Sequence, residues 1–326
     1  MKKMTSSIIR RIEAGERVVL CTILASSGSS PRGAGARMAV FSDGSTIGTV
    51  GGGRVEYLAT QEALTVLQTG NTVIRSFQLA PNQVASIGMV CGGSVSIYYQ
   101  LLTQEELPIL HQMYAALCED ANSWLFLEIR QGRVEDFRVI DAQSASQEPE
   151  HYGPKAVLEE GESVRYYEPL MRAGRVYIFG GGHVGQALVP VLAGVDFRVT
   201  VYDKRKELAT KEHFPMADQV IYGDYEHIFE KITLKPDDYV VIMTPGHESD
   251  YALLEQVLRC KTSYVGCIGS RHKIARTQQL LREAGIPEER IKSVHSPIGL
   301  PIGAQTPAEI AICIAAEMIQ HRSENP

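Results

Sequence analysis

The sequence predicts an α/β protein, in which a C-terminal parallel sheet with helices on both faces follows a smaller α+β domain. Three observations carry this reading. The chain has 326 residues, about twice the length of a typical domain. After Gly174 it alternates short apolar runs with helix-length segments. A glycine-rich turn joins the first of those runs to a helical stretch.

The elements follow in order. Val18–Ile23, Met38–Phe41, Val73–Phe77 and Val95–Leu102 are apolar runs bounded by turn residues such as Asp43-Gly44 and Thr69-Gly70-Asn71, and they predict strands. Between them Val55, Leu58, Ala59, Ala63 and Val66 recur at three and four residues, which predicts an amphipathic helix. A second helix is expected over Gln104–Glu119, then a hairpin of Ser123–Arg130 and Arg133–Ile140 around Gln131-Gly132. From Asp141 to Pro169 the apolar periodicity fades into Ser, Gln, Glu, Gly and Pro. The expected organisation is therefore an α+β domain over 1–145, a linker over 146–172 and a second domain over 173–326. In that second domain Val176–Phe179, Arg198–Tyr202, Gln219–Ile221, Tyr239–Met243 and Tyr264–Ile268 suit strands covered on both faces.

Composition narrows the function. A net charge of −6 leaves no basic footprint, so nucleic acid is not an expected partner. No apolar run approaches the roughly 20 residues that span a bilayer, and the first residues lack a signal peptide's apolar core, so no membrane association and a cytoplasmic location are expected. The six cysteines are scattered without a C-x-x-C pair, which leaves out zinc and iron–sulfur frameworks and favours reduced, mostly buried thiols.

The strongest motif is Gly180-Gly181-Gly182-His183-Val184-Gly185, which satisfies G-x-G-x-x-G between a strand and a helix. The first glycine permits the tight turn, the second admits a phosphate, and the third lets helix and strand pack closely. His183 opens a helix whose N-terminus favours an anion. Asp203, at the end of the next strand, stands where such Rossmann-type domains place a carboxylate on a ribose hydroxyl, although an acidic strand end is also common in purely structural roles. Pro190 lies inside the expected helix and favours a kink there.

Other loops offer weaker signals, each with an ordinary structural alternative. Ser270, Arg271 and Lys273 open a helix with cations where its dipole disfavours them; a bound anion resolves the conflict, and solvated surface charge is the alternative. His247 follows another strand at the ligand rim, where it could meet a phosphate or move a proton, whereas Ser249 and Asp250 beside it suit helix capping. Thr306-Pro307-Ala308-Glu309 is a capping box and is assigned no chemistry. In the first domain, the loop from Ser26 to Arg37 carries Arg32 and Arg37 among small residues, and Gly51-Gly52-Gly53-Arg54 precedes a helix. Both could bring backbone and arginine to an anion, or be flexible turns. Cys91, among Gly88, Gly92 and Gly93, could ligate a soft metal or carry sulfur, or be a buried thiol.

Taken together, Ser29-Ser30-Pro31-Arg32, Gly51-Gly52-Gly53-Arg54-Val55-Glu56, Gly88-Met89-Val90-Cys91-Gly92-Gly93, the Gly180–Gly185 loop, Ile268-Gly269-Ser270-Arg271 and Ser296-Pro297-Ile298-Gly299-Leu300 resemble the XdhC/CoxI family over nearly the whole chain. The resemblance implies an accessory protein that binds molybdenum cofactor, as molybdopterin or its dinucleotide, and delivers it to the apo form of a xanthine dehydrogenase-type molybdenum hydroxylase. It also implies a carrier more than a catalyst, with a cysteine desulfurase and a second copy of the chain as further partners. The family commonly has cysteine where this chain has Arg54, so Cys91 is left as the motif thiol and the possible molybdenum ligand. A nicotinamide-dependent oxidoreductase that holds NAD(P) through Gly180, Gly182, Gly185 and Asp203 is the rival reading. A non-redox subunit of a xanthine dehydrogenase complex is another.

Overall fold

A computed structural model describes residues 1–28, 32–79, 93–118, 122–153, 155–170, 174–269 and 271–325. It divides into two units, Met1–Met171 and Arg172–Pro326.

The first unit opens with α1 (Lys2–Glu13), whose Thr5, Ile8, Ile9 and Ile12 are buried while its lysines and arginines face outward. Strands β1 (Val18–Gly28), β2 (Arg37–Phe41) and β3 (Thr46–Gly48) precede α2 (Gly53–Thr69), then β4 (Val73–Leu79) and β5 (Gly93–Leu102). These five strands form one antiparallel sheet in the order β3-β2-β1-β5-β4. Successive side chains of a strand point to opposite faces. Val19, Cys21 and Ile23 of β1 therefore pack beneath Val55, Ala59, Ala63 and Val66 of α2. Val18 and Leu20 face the other way, against Ile8 and Ile12 of α1 and Leu110 of α3 (Leu107–Cys118).

The segment expected to be a linker is folded. Strands β6 (Ser123–Arg130) and β7 (Arg133–Asp141) and a short helix α4 (Ala142–Ala145) lead to β8 (Val157–Glu160) and β9 (Val164–Pro169), and the four strands form an antiparallel sheet in the order β7-β6-β9-β8. Tyr166 and Tyr167 are both buried, one against Leu24, Tyr98 and Leu127 and the other against Phe126. Residues 157–169 thus belong to the first unit. Their Glu159, Glu160, Glu162 and Arg165 made a hairpin resemble a polar connection.

In the second unit β10 (Arg175–Phe179), α5 (His183–Gly194), β11 (Arg198–Asp203), β12 (Gln219–Tyr222), β13 (Tyr239–Ile242), α6 (His247–Leu258), β14 (Tyr264–Cys267), α7 (Arg271–Glu283), α8 (Glu288–Lys292) and α9 (Pro307–Glu324) follow one another. The sheet is parallel, in the order β12-β11-β10-β13-β14. Leu188 and Leu192 of α5 and Ile314 and Met318 of α9 cover Ile178, Val201 and Val241 on one face. Leu253 and Val257 of α6, Leu281 of α7 and Ile291 of α8 cover Phe179, Val240 and Val265 on the other. The predicted Rossmann-type sheet is thereby present. Helix α5 runs through Pro190, and the Thr306–Glu309 capping box forms with Pro307 in the first helical turn. Among the described residues no helix is long and apolar enough to cross a membrane.

Candidate cofactor site

The strand order places β10 and β13 side by side, and the helices that follow them go to opposite faces of the sheet. This is the topological switch point, and open α/β sheets bind their ligands there, outside the carboxyl ends of the strands. The loops 180–182 and 244–246 flank it. They are adjacent in backbone terms, since the amide of Met243 donates to the Phe179 carbonyl at 2.8 Å.

The motif glycines have separable roles. Gly180 has a φ of +116°, and a Cβ on it would collide with the Met243 carbonyl. A Cβ on Gly185 would lie 2.5 Å from the Gly180 carbonyl oxygen. Both are demanded by packing. Gly182 differs: nothing lies within 4 Å of where its Cβ would be, and its φ of −75° is open to any residue. It caps α5 without a side-chain hydrogen bond, and His183 begins the helix exposed to solvent. The amides of a first helical turn have no intrahelical acceptor, so open space meets a partial positive charge here.

Asp203 does not play the part its position suggested. It is completely buried and accepts four hydrogen bonds: from the Gly181 amide at 2.6 Å, the Arg205 amide at 2.8 Å, Arg205 Nε at 2.9 Å and Arg205 Nη2 at 2.7 Å. Burial pushes its carboxyl up, but the Arg205 guanidinium and the two amides outweigh it and hold Asp203 below the usual carboxylate range. With both oxygens engaged, the carboxylate is a brace for the glycine loop and not an open ribose acceptor. The reading from strand position overlooked Arg205, whose side chain turns back from two residues downstream. The Asp203-Lys204-Arg205 run was its only sequence trace. Lys204 was overlooked as well, and its Nζ reaches Ser249 Oγ at 3.3 Å in the first turn of α6.

Near the same edge, Thr244 is fixed through its hydroxyl and amide by Asp250 Oδ1, at 2.6 and 3.2 Å. The expected capping role of Asp250 thus becomes a loop anchor inside the turn. His247, Arg271 and Lys273 are the first or early residues of α6 and α7, so their backbones lie at this carboxyl edge, while their side chains and Ser270 fall outside the described residues.

In the first unit, strand direction assembles the remaining motifs. β1 ends at Gly28, β2 begins at Arg37, β3 ends at Gly48, β4 ends at Leu79 and β5 begins at Gly93, all at one end of the sheet. The loop carrying Arg32 and the Gly51-Gly52-Gly53-Arg54 turn therefore leave from that end. Cys91, with Ser29, Ser30 and Pro31, lies outside the described residues. Arg32 and Arg54 are exposed. Gly51, Gly52 and Gly53 all have positive φ, of 126°, 74° and 57°. Their turn is held by Glu56, whose Oε2 accepts from the amides of Val50 at 3.3 Å and Gly52 at 3.1 Å and from the Thr49 hydroxyl. Glu56 is thus the organiser of this loop, a role the spacing alone did not show.

Arg37 is not an anion partner. It is buried and makes a two-pronged ion pair with Glu168 of β9, at 2.5 and 3.1 Å. Of the cysteines among the described residues, Cys21, Cys267 and Cys313 are buried and Cys118 and Cys260 partly so, all as free thiols.

These features define a protein with a Rossmann unit whose glycine loop presents an open, uncapped helix start, preceded by an antiparallel unit with motif loops at one sheet end. The sequence matches the family described as XdhC Rossmann domain over residues 176–318 and the XdhC and CoxI family over residues 11–78. The chain belongs to the XdhC and CoxI family. It is 28% identical to a probable xanthine dehydrogenase subunit of Bacillus subtilis over 95% of both chains. It is 22% identical to the molybdenum cofactor insertion chaperone PaoD of Escherichia coli over 96% of this chain and 86% of that one. The uncharacterized Escherichia coli protein YqeB is 27% identical over 94% of this chain, which spans only 44% of YqeB. A solved Bacillus halodurans structure described as a xanthine dehydrogenase superposes with a TM-score of 0.83 at 27% identity, covering 99% of this chain and 96% of that one.

Proposed function

We propose that this chain holds molybdenum cofactor and delivers it to the apo form of a xanthine dehydrogenase-type molybdenum hydroxylase. The observation that carries the reading is the open space at Gly182. Packing explains Gly180 and Gly185, whereas at Gly182 no neighbour would meet a side chain, which leaves room for an approaching phosphate. The phosphate or pyrophosphate of a molybdopterin fits there, against the amides of the first turn of α5. Within the first unit Cys91 is by sequence the motif thiol, the kind of group a dithiolene-bound metal would call for, and Arg32 and Arg54 are the motif cations; within the second, Arg271 and Lys273 are the cations that open α7. Release is part of a carrier's work, so reversible contacts to phosphate suit it better than a closed active site. The insertion role of the relative PaoD supports the reading.

Closure of Asp203 weighs against NAD in the nicotinamide-dependent alternative, because that fold's usual ribose contact is occupied by Arg205. The name of the Bacillus subtilis relative favours a second reading, a non-redox subunit that stays with its enzyme. A cysteine desulfurase and a homodimer belong to the same proposal as expected partners. Anaerobic purification from cofactor-producing cells, followed by pterin fluorescence and molybdenum analysis, tests it. Wild type should carry pterin and Gly182→Val should not. Equal pterin in both, or none in wild type, overturns the assignment.

A further inference from the structure

Beside β14, toward its amino-terminal end and so away from the glycine loop, a cavity of about 330 Å³ opens in the second unit. Four groups able to carry positive charge line it, Arg290, Lys292, His295 and His321, and none of its lining residues is acidic. Its inner wall is built. Tyr264 stacks on His295 with centroids 4.5 Å apart and meets His321 edge-on at 5.3 Å. The Tyr264 hydroxyl donates to Glu317 at 2.5 Å, and Glu317 also accepts from the Gly299 amide at 2.9 Å and faces His295 Nδ1 at 3.4 Å. Glu317 is thus engaged within the wall, Glu288 lies 3.9 Å from Lys292 Nζ at the rim, and Nε2 is the ring nitrogen His295 has left. Arg290 is pinned by the carbonyls of Leu258 and Cys260.

We propose that this cavity is a second anion site, separate from the glycine loop, and that it takes a small phosphate monoester. The volume stands at the low end of the roughly 300–1,000 Å³ typical of ligand pockets, more than a bare oxyanion needs. Burial and the adjacent His295 hold the His321 ring below the usual histidine range, so an arriving anion should draw a proton onto it. The groups facing that ring are Tyr264 of β14, Tyr239 of β13, His295 after α8, and Glu317 and Glu324 of α9.

Calorimetric titration of the full chain with glycerol phosphate, and separately with sulfate, tests the site. The Gly182→Val variant serves as background so that the glycine loop does not contribute. Saturable monoester binding should survive in that background and weaken at least about tenfold in His295→Gln with His321→Gln, the loss expected for one charge-assisted hydrogen bond. Sulfate keeps its charge between pH 6 and 8, so its binding should weaken as pH rises through that range. Lys292→Ala, at the exposed rim, should weaken binding more modestly and serves if the histidine variants unfold. Absence of saturable binding overturns the proposal, as do binding indifferent to these substitutions and binding lost with Gly182→Val alone. Sulfate binding without monoester binding overturns the ester assignment.

Discussion

Asp203 and Arg205 form a two-pronged ion pair at the carboxyl end of β11, and the same carboxylate holds the Gly181 amide, so one buried charge orders the phosphate-type loop. Arg205→Ala leaves that carboxylate buried with only backbone donors. Removing one partner of a buried pair costs about 3–5 kcal/mol, and the loss here should fall to about 2–3 kcal/mol because the Arg205 side chain is 32% exposed. The folded carboxyl is held below its unfolded value of about 3.9, so its stabilisation is present above that pH and is lost as pH falls through the lower, folded value. Urea unfolding from pH 7 down to pH 3 should show this loss in wild type and a flatter profile in Asp203→Asn. Identical profiles would remove Asp203 as a charged brace.

Arg37 and Glu168 are a more deeply buried pair. Burial raises the Glu168 carboxyl despite the guanidinium, so ionised Glu168 owes its place to Arg37. Glu168→Gln should cost about 3–5 kcal/mol by stranding the arginine, while a joint Arg37→Met and Glu168→Leu change should be near neutral or stabilising. Chemical denaturation of the three proteins checks it, and equal losses in the single and double variants would contradict the argument.

Gly185→Ala and Gly182→Ala should separate folding from binding. The first forces a Cβ to within 2.5 Å of the Gly180 carbonyl oxygen and should lower the melting temperature by several degrees; the second meets open space and should cost about 1 kcal/mol or less. If a ligand occupies the loop, Arg271→Ala and Lys273→Ala should weaken its retention, more so at low salt where exposed charges act over longer distances. Retention unchanged at every ionic strength would leave both as surface charge.

Cys91→Ser tests the motif thiol. Serine is nearly isosteric but a poor ligand for soft metals, so molybdenum content or activation of a partner apoenzyme should fall while the fold is kept. A merely packed thiol would instead show an unchanged activation and a stability loss of about 1–3 kcal/mol from the buried hydroxyl. Melting and activation measured on one preparation distinguish the two.

Local pattern alone determined the Rossmann-type unit, because strands covered on both faces leave near-continuous apolar runs and the turn after β10 needs glycines at set positions. It also determined α2, α9 and the capping box at Thr306, whose signals lie within a few residues of one another. Long-range geometry decided the rest. Tyr166 and Tyr167 marked nothing until β9 paired with β6, 131 residues separate Arg37 from the Glu168 that neutralises it, and Asp203 changed from ligand acceptor to brace when Arg205 folded back. The role of a charged residue depends on which partner reaches it and how much water is excluded, and neither quantity is written in its neighbours along the chain.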